Sequence, residues 1–557
     1  MIARDSLRKA NLSRWLHLDN LCTYTLFGIL GLALTIRLIG LDKGIWLDEY
    51  ESLRMISKGG LFQTLRALRF SDQSPLYYIL LKLWSQIGIG EEFLRLLSVF
   101  FGVATVLVVM MLMRRYSHVS TILAGVYFAT TPIMLRYSQE IRSYSLLVLA
   151  TALSFLFAYH LTAKPEKLYG YIGLAFSLTV AVSTHLVGVM LIIPICVFIT
   201  TMALLNQNRI HWHKAALTMA VPCAVFIFSY FFYSVSVHSI TRNNWWMPSL
   251  CSELILSTTR YLFGFSALSW PPGAMGETTP ILANSLEHSI TILAFVFIAL
   301  LIVFGEWRRT VPFIVAAVIY WSQIIIYSIV ATPIFWYRTV LPSVVPLVGF
   351  VALKTATIRQ RGVQIAVIVA FVILSLLSTA SWITDEAWKP VEAWRESSKL
   401  LASKWQQNDL VIFYPNYAKG PIKYYFCDLP ANVVTSVAIG TDIQQLQAEI
   451  DNKLSTLDSS GTPPSVFLVI RADLSVQKDQ ETYYELLSIL GSKSRQLSTL
   501  QALLITCHDV NIQTDLVDTR NQMLASLESK FGAPLSFQDF DSFVWSTYQI
   551  QNQTSPG

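Results

Sequence analysis

Two adjacent carboxylates, Asp48 and Glu49, follow the first long apolar run of the chain, Leu21 to Gly40. They stand in Gly44-Ile45-Trp46-Leu47-Asp48-Glu49-Tyr50-Glu51, where a membrane helix has just left the bilayer. Carboxylates near lipid are costly and tend to be kept for function. A second charged cluster, Arg136-Tyr137-Ser138-Gln139-Glu140-Ile141-Arg142-Ser143-Tyr144, lies between two later apolar runs. Carboxylates beside arginines suit transfer from a phosphate. One group takes the proton of the nucleophile, and the cations hold the leaving oxygen. Each cluster also has a purely structural explanation. Asp48 and Glu49 fit the first turn of a helix as a cap, and the second cluster fits a surface ion pair.

The elements that must position these residues are membrane helices. Of 557 residues, 54% are hydrophobic and 14% charged, against roughly 25% charged in soluble proteins. Mean hydropathy is +0.50. A run of about 20 apolar residues spans a bilayer, and many such runs occur. Spans are expected near 20–40, 92–113, 119–135, 143–162, 169–184, 186–205, 215–235, 289–305, 311–330, 339–355 and 363–383. The first run is too long, and too well supported by later ones, to be a cleaved signal peptide. The net charge of +6 makes no case for nucleic acid.

Charge patterning orients the spans. Arg114-Arg115, Lys164 to Lys167, Arg209 to Lys214, Trp307-Arg308-Arg309, and Lys354 with Arg359 and Arg361 fall on the side of the basic N-terminus. Positive connectors are cytoplasmic, so the N-terminus is expected inside. The loop after Gly40, the 136–144 cluster and the tail from about Asp385 are then outside. This brings Asp48, Glu49 and Glu140 to one membrane face. Pro75 to Gly88 is apolar but short for a crossing, and is expected to be an in-plane or re-entrant helix on the outer surface. Its surroundings, with Lys43, Arg54, Lys58, Arg66, Arg69 and Lys82, would attract lipid phosphates.

The tail changes character. From Val391 to Gly557 no spanning run occurs, and helical and strand patterns alternate. Helices are expected at 394–406 and 439–457, and strands at 410–414, 465–470 and 543–549. The fold class expected is therefore mainly α: a polytopic transmembrane helical bundle of about eleven spans, with outer-face juxtamembrane helices and a C-terminal extramembrane α/β domain. The boundaries are 1–390 for the membrane part and 391–557 for the external domain.

Four stretches, in order and on one expected membrane face, resemble the GT-C superfamily of polytopic membrane glycosyltransferases. The likeness is to the family 39-like branch of protein-O-mannosyltransferase and aminoarabinose-transferase type. Trp46-Leu47-Asp48-Glu49 is similar to the first-loop acidic motif, and Asp72-Gln73-Ser74-Pro75-Leu76-Tyr77-Tyr78 to the motif opening a juxtamembrane helix. Tyr137 to Tyr144 is similar to the second-loop motif, and Phe335-Trp336-Tyr337-Arg338-Thr339-Val340-Leu341-Pro342 to the late Tyr-Arg motif. The likeness covers roughly residues 20–380. At Gln73-Ser74 the chain departs from the His-Pro of many relatives, which removes an imidazole.

The resemblance implies sugar transfer from a polyprenyl-phosphate carrier to an acceptor hydroxyl at the external face, with inversion. It makes Asp48 the general base and gives Glu49 and Glu140 to sugar or acceptor hydroxyls. Arg142 and Arg338, with Tyr337, would hold the donor phosphate. Asp72, Arg136, Tyr137, His185 and Trp245 are substrate-binding candidates. His185 reads equally as a structural histidine, and Trp245 reads first as part of an interfacial aromatic belt. The Tyr77-Tyr78 pair reads as packing. The resemblance leaves a divalent metal ion open as the one cofactor, held, if used, by Asp48, Glu49 and Glu140. The partners implied are the donor lipid, a glycan, lipid or protein acceptor, and the bilayer of the plasma (inner) membrane. Two other readings stay open: a transporter or flippase for a lipid-linked glycan, and a polysaccharide ligase. Transporters place polar groups at the midplane, whereas the carboxylates here collect at one face.

Overall fold

The computed structural model describes residues 20–57, 59–69, 73–243, 247, 249–262, 303–387, 391–430, 434–457, 463–472, 480–493, 496–506, 513–540 and 543–550. Asp72, Trp245 and residues 289–302 of the expected span 289–305 lie outside them. The chain divides into two compact units. The first holds Met1–Asp42 and Arg54–Trp388; the second joins Lys43–Leu53 to Lys389–Gly557.

The first unit is helical and apolar. Glu91–Met113, Tyr144–Ala163, Leu186–Asn206, Trp212–Phe231, Val311–Val330 and Arg361–Thr384 are each long and apolar enough to cross a membrane. Thr23–Leu38, Leu168–Thr184 and Leu341–Ala356 are shorter apolar helices. The chain is a multi-pass membrane protein. Pro75–Trp84 forms a helix opened by its proline. At 1.5 Å per residue it reaches only ~15 Å, about half the hydrocarbon thickness.

The expected span at 119–135 is broken in two. His118–Thr130 and Pro132–Ser138 meet at a 57° bend. Pro132 cannot donate to the preceding turn and drives Thr131 to extended angles, φ −67 and ψ 130, as the residue before a proline must go. The break exposes the last carbonyls of the first helix inside an apolar bundle. Arg37, buried in the helix Asn20–Leu38, supplies the donors. Its guanidinium donates to Phe128 O at 2.6 Å, Ala129 O at 3.0 Å, Ala33 O at 3.1 Å and Ser138 Oγ at 3.1 Å. Gln139 Nε2 in turn donates to Arg37 O and Ile39 O at 3.0 and 2.6 Å. The bend and its polar staple fix the short helix and the turn after it, which together carry Arg136 to Arg142. Replacing Arg37 by Met is expected to destabilise the detergent-solubilised protein by about 1–3 kcal/mol for the acceptors it orphans. The readout is the thermal midpoint. Arg37→Lys should recover only part, because an ammonium cannot present a planar fork.

The second unit is built on a six-stranded sheet in the order β2-β1-β3-β4-β6-β5. The strands are β1 (Leu410–Tyr414), β2 (Val434–Ser436), β3 (Val466–Ala472), β4 (Thr499–Thr506), β5 (Ser536–Asp539) and β6 (Phe543–Gln549). β1 to β4 pair in parallel, whereas β6 runs antiparallel to both β4 and β5. Leu-Val-Ile-Phe-Tyr of β1 is buried throughout, as a parallel strand covered on both faces requires. Helices Trp394–Lys404, Ile443–Leu457 and Glu481–Ser492 accompany the sheet.

Candidate functional site

In the first unit the candidate residues of three segments converge. From the short helix after the bend, Arg136 Nε reaches Glu140 Oε1 in the following turn at 3.1 Å, with both side chains buried. Arg142 Nη1 donates to the Tyr78 hydroxyl at 3.3 Å. Arg338 Nη1 donates to the Tyr144 hydroxyl at 3.4 Å. The Tyr137 ring lies 4.7 Å from that of Tyr144 and 6.2 Å from that of Tyr337. The Arg136 guanidinium stands 5.8 Å above the Tyr337 ring, and the Arg142 guanidinium 5.8 Å above that of Tyr144. Arg136, Arg142 and Arg338 are at most 9% exposed, which means they are held largely out of water. Guanidiniums so placed, with tyrosine hydroxyls between them, suit a phosphate.

The late segment owes its shape to Thr339. Its hydroxyl donates its one proton toward Ile334 O at 2.7 Å and Trp336 O at 2.8 Å as shared acceptors, and accepts from Trp336 N at 3.0 Å. Tyr320 then donates to Thr339 O at 2.9 Å. This closes a tight turn before Pro342 and fixes Tyr337 and Arg338.

His185 joins the group between the helices Leu168–Thr184 and Leu186–Asn206. Its ring lies 5.8 Å from Tyr144. Burial first, then the charges of Arg142 and Arg338, lower its pKa to about 4. It is therefore neutral near pH 7. Nδ1 accepts from Val187 N at 3.3 Å, which leaves the ring proton on Nε2 as a donor.

Asp48 and Glu49 belong to the second unit. They open the helix Leu47–Ser57; Asp48 is half-buried and Glu49 buried. Glu49 Oε2 accepts from Trp46 N at 3.4 Å, the backward reach of a first-turn carboxylate. Leu47 N donates to Glu392 Oε2 at 2.8 Å. Among the described residues, no group of three His, Cys, Asp or Glu stands ready to hold a metal ion.

Sequence reasoning passed over Tyr78 and Tyr144 as site residues, and both hydroxyls meet a site arginine. Tyr144 was legible from its place two residues after Arg142. Glu392 and Arg471, which meet at 2.5 Å, carried no motif at all.

Residues 72–247 match the model of the dolichyl-phosphate-mannose-protein mannosyltransferase family. No curated protein matches the chain by sequence. Among solved structures, ArnT from Cupriavidus metallidurans in the apo state is similar with a TM-score of 0.52 at 12% identity, covering 94% of this chain and 98% of that one. ArnT of the same organism bound to undecaprenyl phosphate gives 0.47 at 13% identity, with the same 94% and 98% coverage. The archaeal oligosaccharyltransferase AglB from Archaeoglobus fulgidus gives 0.42 at 11% identity, covering 96% of this chain and 75% of that one. The likeness to apo ArnT establishes the fold. With the family-model match, it bears out the sequence resemblance to a GT-C membrane glycosyltransferase.

Proposed function

We propose that this chain moves a sugar from a polyprenyl-phosphate carrier to an acceptor hydroxyl, with inversion at the anomeric carbon. The observation that carries this reading is the buried set Arg136, Arg142 and Arg338 with its tyrosines, of which Arg136 and Arg142 fall inside the family-matched segment. A polyprenyl phosphate keeps its chain in the bilayer and its headgroup at the boundary. A desolvated guanidinium cluster suits that headgroup, and the matched family is named for a dolichyl-phosphate-linked sugar.

The acceptor oxygen attacks the anomeric carbon while the bond from that carbon to the phosphate oxygen breaks. Asp48 takes the hydroxyl proton, and the electron pair leaves with the polyprenyl phosphate. Arg142 and Arg338 stabilise the charge that grows on this phosphate. Neutral His185 offers Nε2–H as a further donor. Glu140, paired with Arg136, and Glu49 bind sugar or acceptor hydroxyls. The roles of Asp48 and Glu49 rest on the acidic motif; those of the arginines rest on their cluster.

The test is purified protein supplied in parallel with polyprenyl-phosphate sugars and polyprenyl-diphosphate glycans. Release of polyprenyl phosphate with sugar on an acceptor is the expected result. Turnover of the diphosphate donors alone would instead identify a ligase, and movement of intact glycolipid across vesicles a flippase.

Transfer at the external face of the plasma membrane further requires the charge-based orientation. Reporter fusions after Arg115 and Lys214 are expected to read cytoplasmic, and those after Glu51 and Trp394 external. A cytoplasmic signal after Trp394 would overturn it.

A further inference from the structure

We infer that Glu392 and Arg471 are positioning residues that hold the Asp48 segment in the topological switch point of the C-terminal sheet. β1 continues to β2 on one side, whereas β3 continues to β4 on the other. In doubly wound sheets, the crevice beyond the carboxyl ends of two such strands is where ligands bind. In this unit the residues at those ends grip the chain's own acidic loop. Arg471 is the penultimate residue of β3, and its guanidinium stands 5.5 Å above the ring of Tyr417, which follows β1. Its Nε and Nη2 both donate to Glu392 Oε1, at 2.8 and 2.5 Å. The other oxygen, Oε2, accepts from Leu47 N at 2.8 Å and from Trp394 Nε1 at 2.5 Å. A carboxylate has about four acceptor positions, and these contacts use them all in a buried site.

The grip extends along the loop. Ile45 N donates to the Tyr425 hydroxyl at 2.9 Å, and the Tyr50 ring packs edge-on against Tyr424 at 6.4 Å. The amides at 45, 46 and 47 are thus fixed in succession by Tyr425, Glu49 and Glu392. Asp48 is the next residue. The two-nitrogen contact of Arg471 orients Glu392, and Glu392 sets where the helix bearing Asp48 begins. The C-terminal domain therefore serves the reaction through backbone hydrogen bonds to the loop rather than through chemistry of its own. This inference rests on the reading of Asp48 as the base.

The test combines hydrogen exchange with kinetics on the full-length protein, comparing wild type, Glu392→Gln, Arg471→Lys and Asp48→Asn. Exchange at amides 45–47 is expected to quicken in Glu392→Gln, with β3 and β4 still protected. Misplacing a reacting group by about an ångström costs on the order of 10²-fold, so kcat should fall by up to that factor with the donor KM unchanged. Arg471→Lys keeps the charge but not the two-nitrogen fork, and should recover part of both readouts. If Glu392→Gln loses β3 and β4 protection, Arg471→Lys carries the comparison. Unchanged exchange at 45–47 in folded variants would overturn the grip. Faster exchange with wild-type kcat would overturn the positioning role while leaving the function intact, provided that Asp48→Asn is inactive. An active Asp48→Asn would overturn the base assignment and the positioning role with it, while the exchange result alone still decides whether the loop is gripped.

Discussion

Asp48→Asn is expected to lower turnover by roughly 10²–10⁴-fold, the usual cost of losing a general base, with the donor KM near wild type. Asparagine keeps the shape and the hydrogen-bonding capacity of the side chain but cannot accept the acceptor's proton. The competing explanation is that Asp48 only caps its helix. In the structure, the amides of Trp46 and Leu47 are already served by Glu49 and Glu392. As a cap, Asp48 contributes a first-turn charge on the helix dipole, worth about 0.3–1 kcal/mol of stability and nothing in kcat. The two explanations therefore separate cleanly: a large kcat loss at unchanged stability against a small stability loss at unchanged kcat. Asp48→Glu should rescue little, since the longer arm moves the carboxylate. Glu49→Gln should be mild, because glutamine fills the same capping position. Normal turnover by purified Asp48→Asn would sink the proposed mechanism.

The helices were legible where apolar length alone decides them. The expected runs at 92–113, 143–162 and 311–330 correspond to Glu91–Met113, Tyr144–Ala163 and Val311–Val330. The bend at Thr131 was not read, although Pro132 announced it, because the hydropathy of 119–135 is continuous across the proline. The staple by Arg37 was equally hidden. A lone arginine in an apolar run shows its cost but not which carbonyls offset it. In the tail, β1 and β6 stood out as continuous β-rich runs. The β4 residues Thr499–Thr506 mix polar and apolar positions at the strand's start, and only pairing with β3 and β6 makes them a strand. Glu392 and Arg471 are 79 residues apart in a segment without a motif, so no local pattern could have joined them.

The arginines that meet Tyr78 and Tyr144 are expected to carry the next largest effect. Arg142→Ala and Arg338→Ala should each lose about 2–4 kcal/mol of transition-state stabilisation, the cost of removing a desolvated donor from a developing anion. Both side chains are buried, so their interaction with a phosphate is little screened by water or salt. Each is also oriented by a tyrosine hydroxyl. Tyr78→Phe and Tyr144→Phe should therefore cost less than the arginine truncations, since the charge stays while its aim loosens. Arg338→Lys should recover only part of the loss, because an ammonium is a point charge without the bidentate fork. The damage should fall on kcat and on kcat/KM together if the contact strengthens as the phosphate departs, and on KM alone if it serves only to bind the carrier. Single-turnover rates with a polyprenyl-phosphate sugar distinguish these. Near wild-type rates for both alanine variants would remove the cluster from the reaction and leave it as the support of an irregular turn between broken helices.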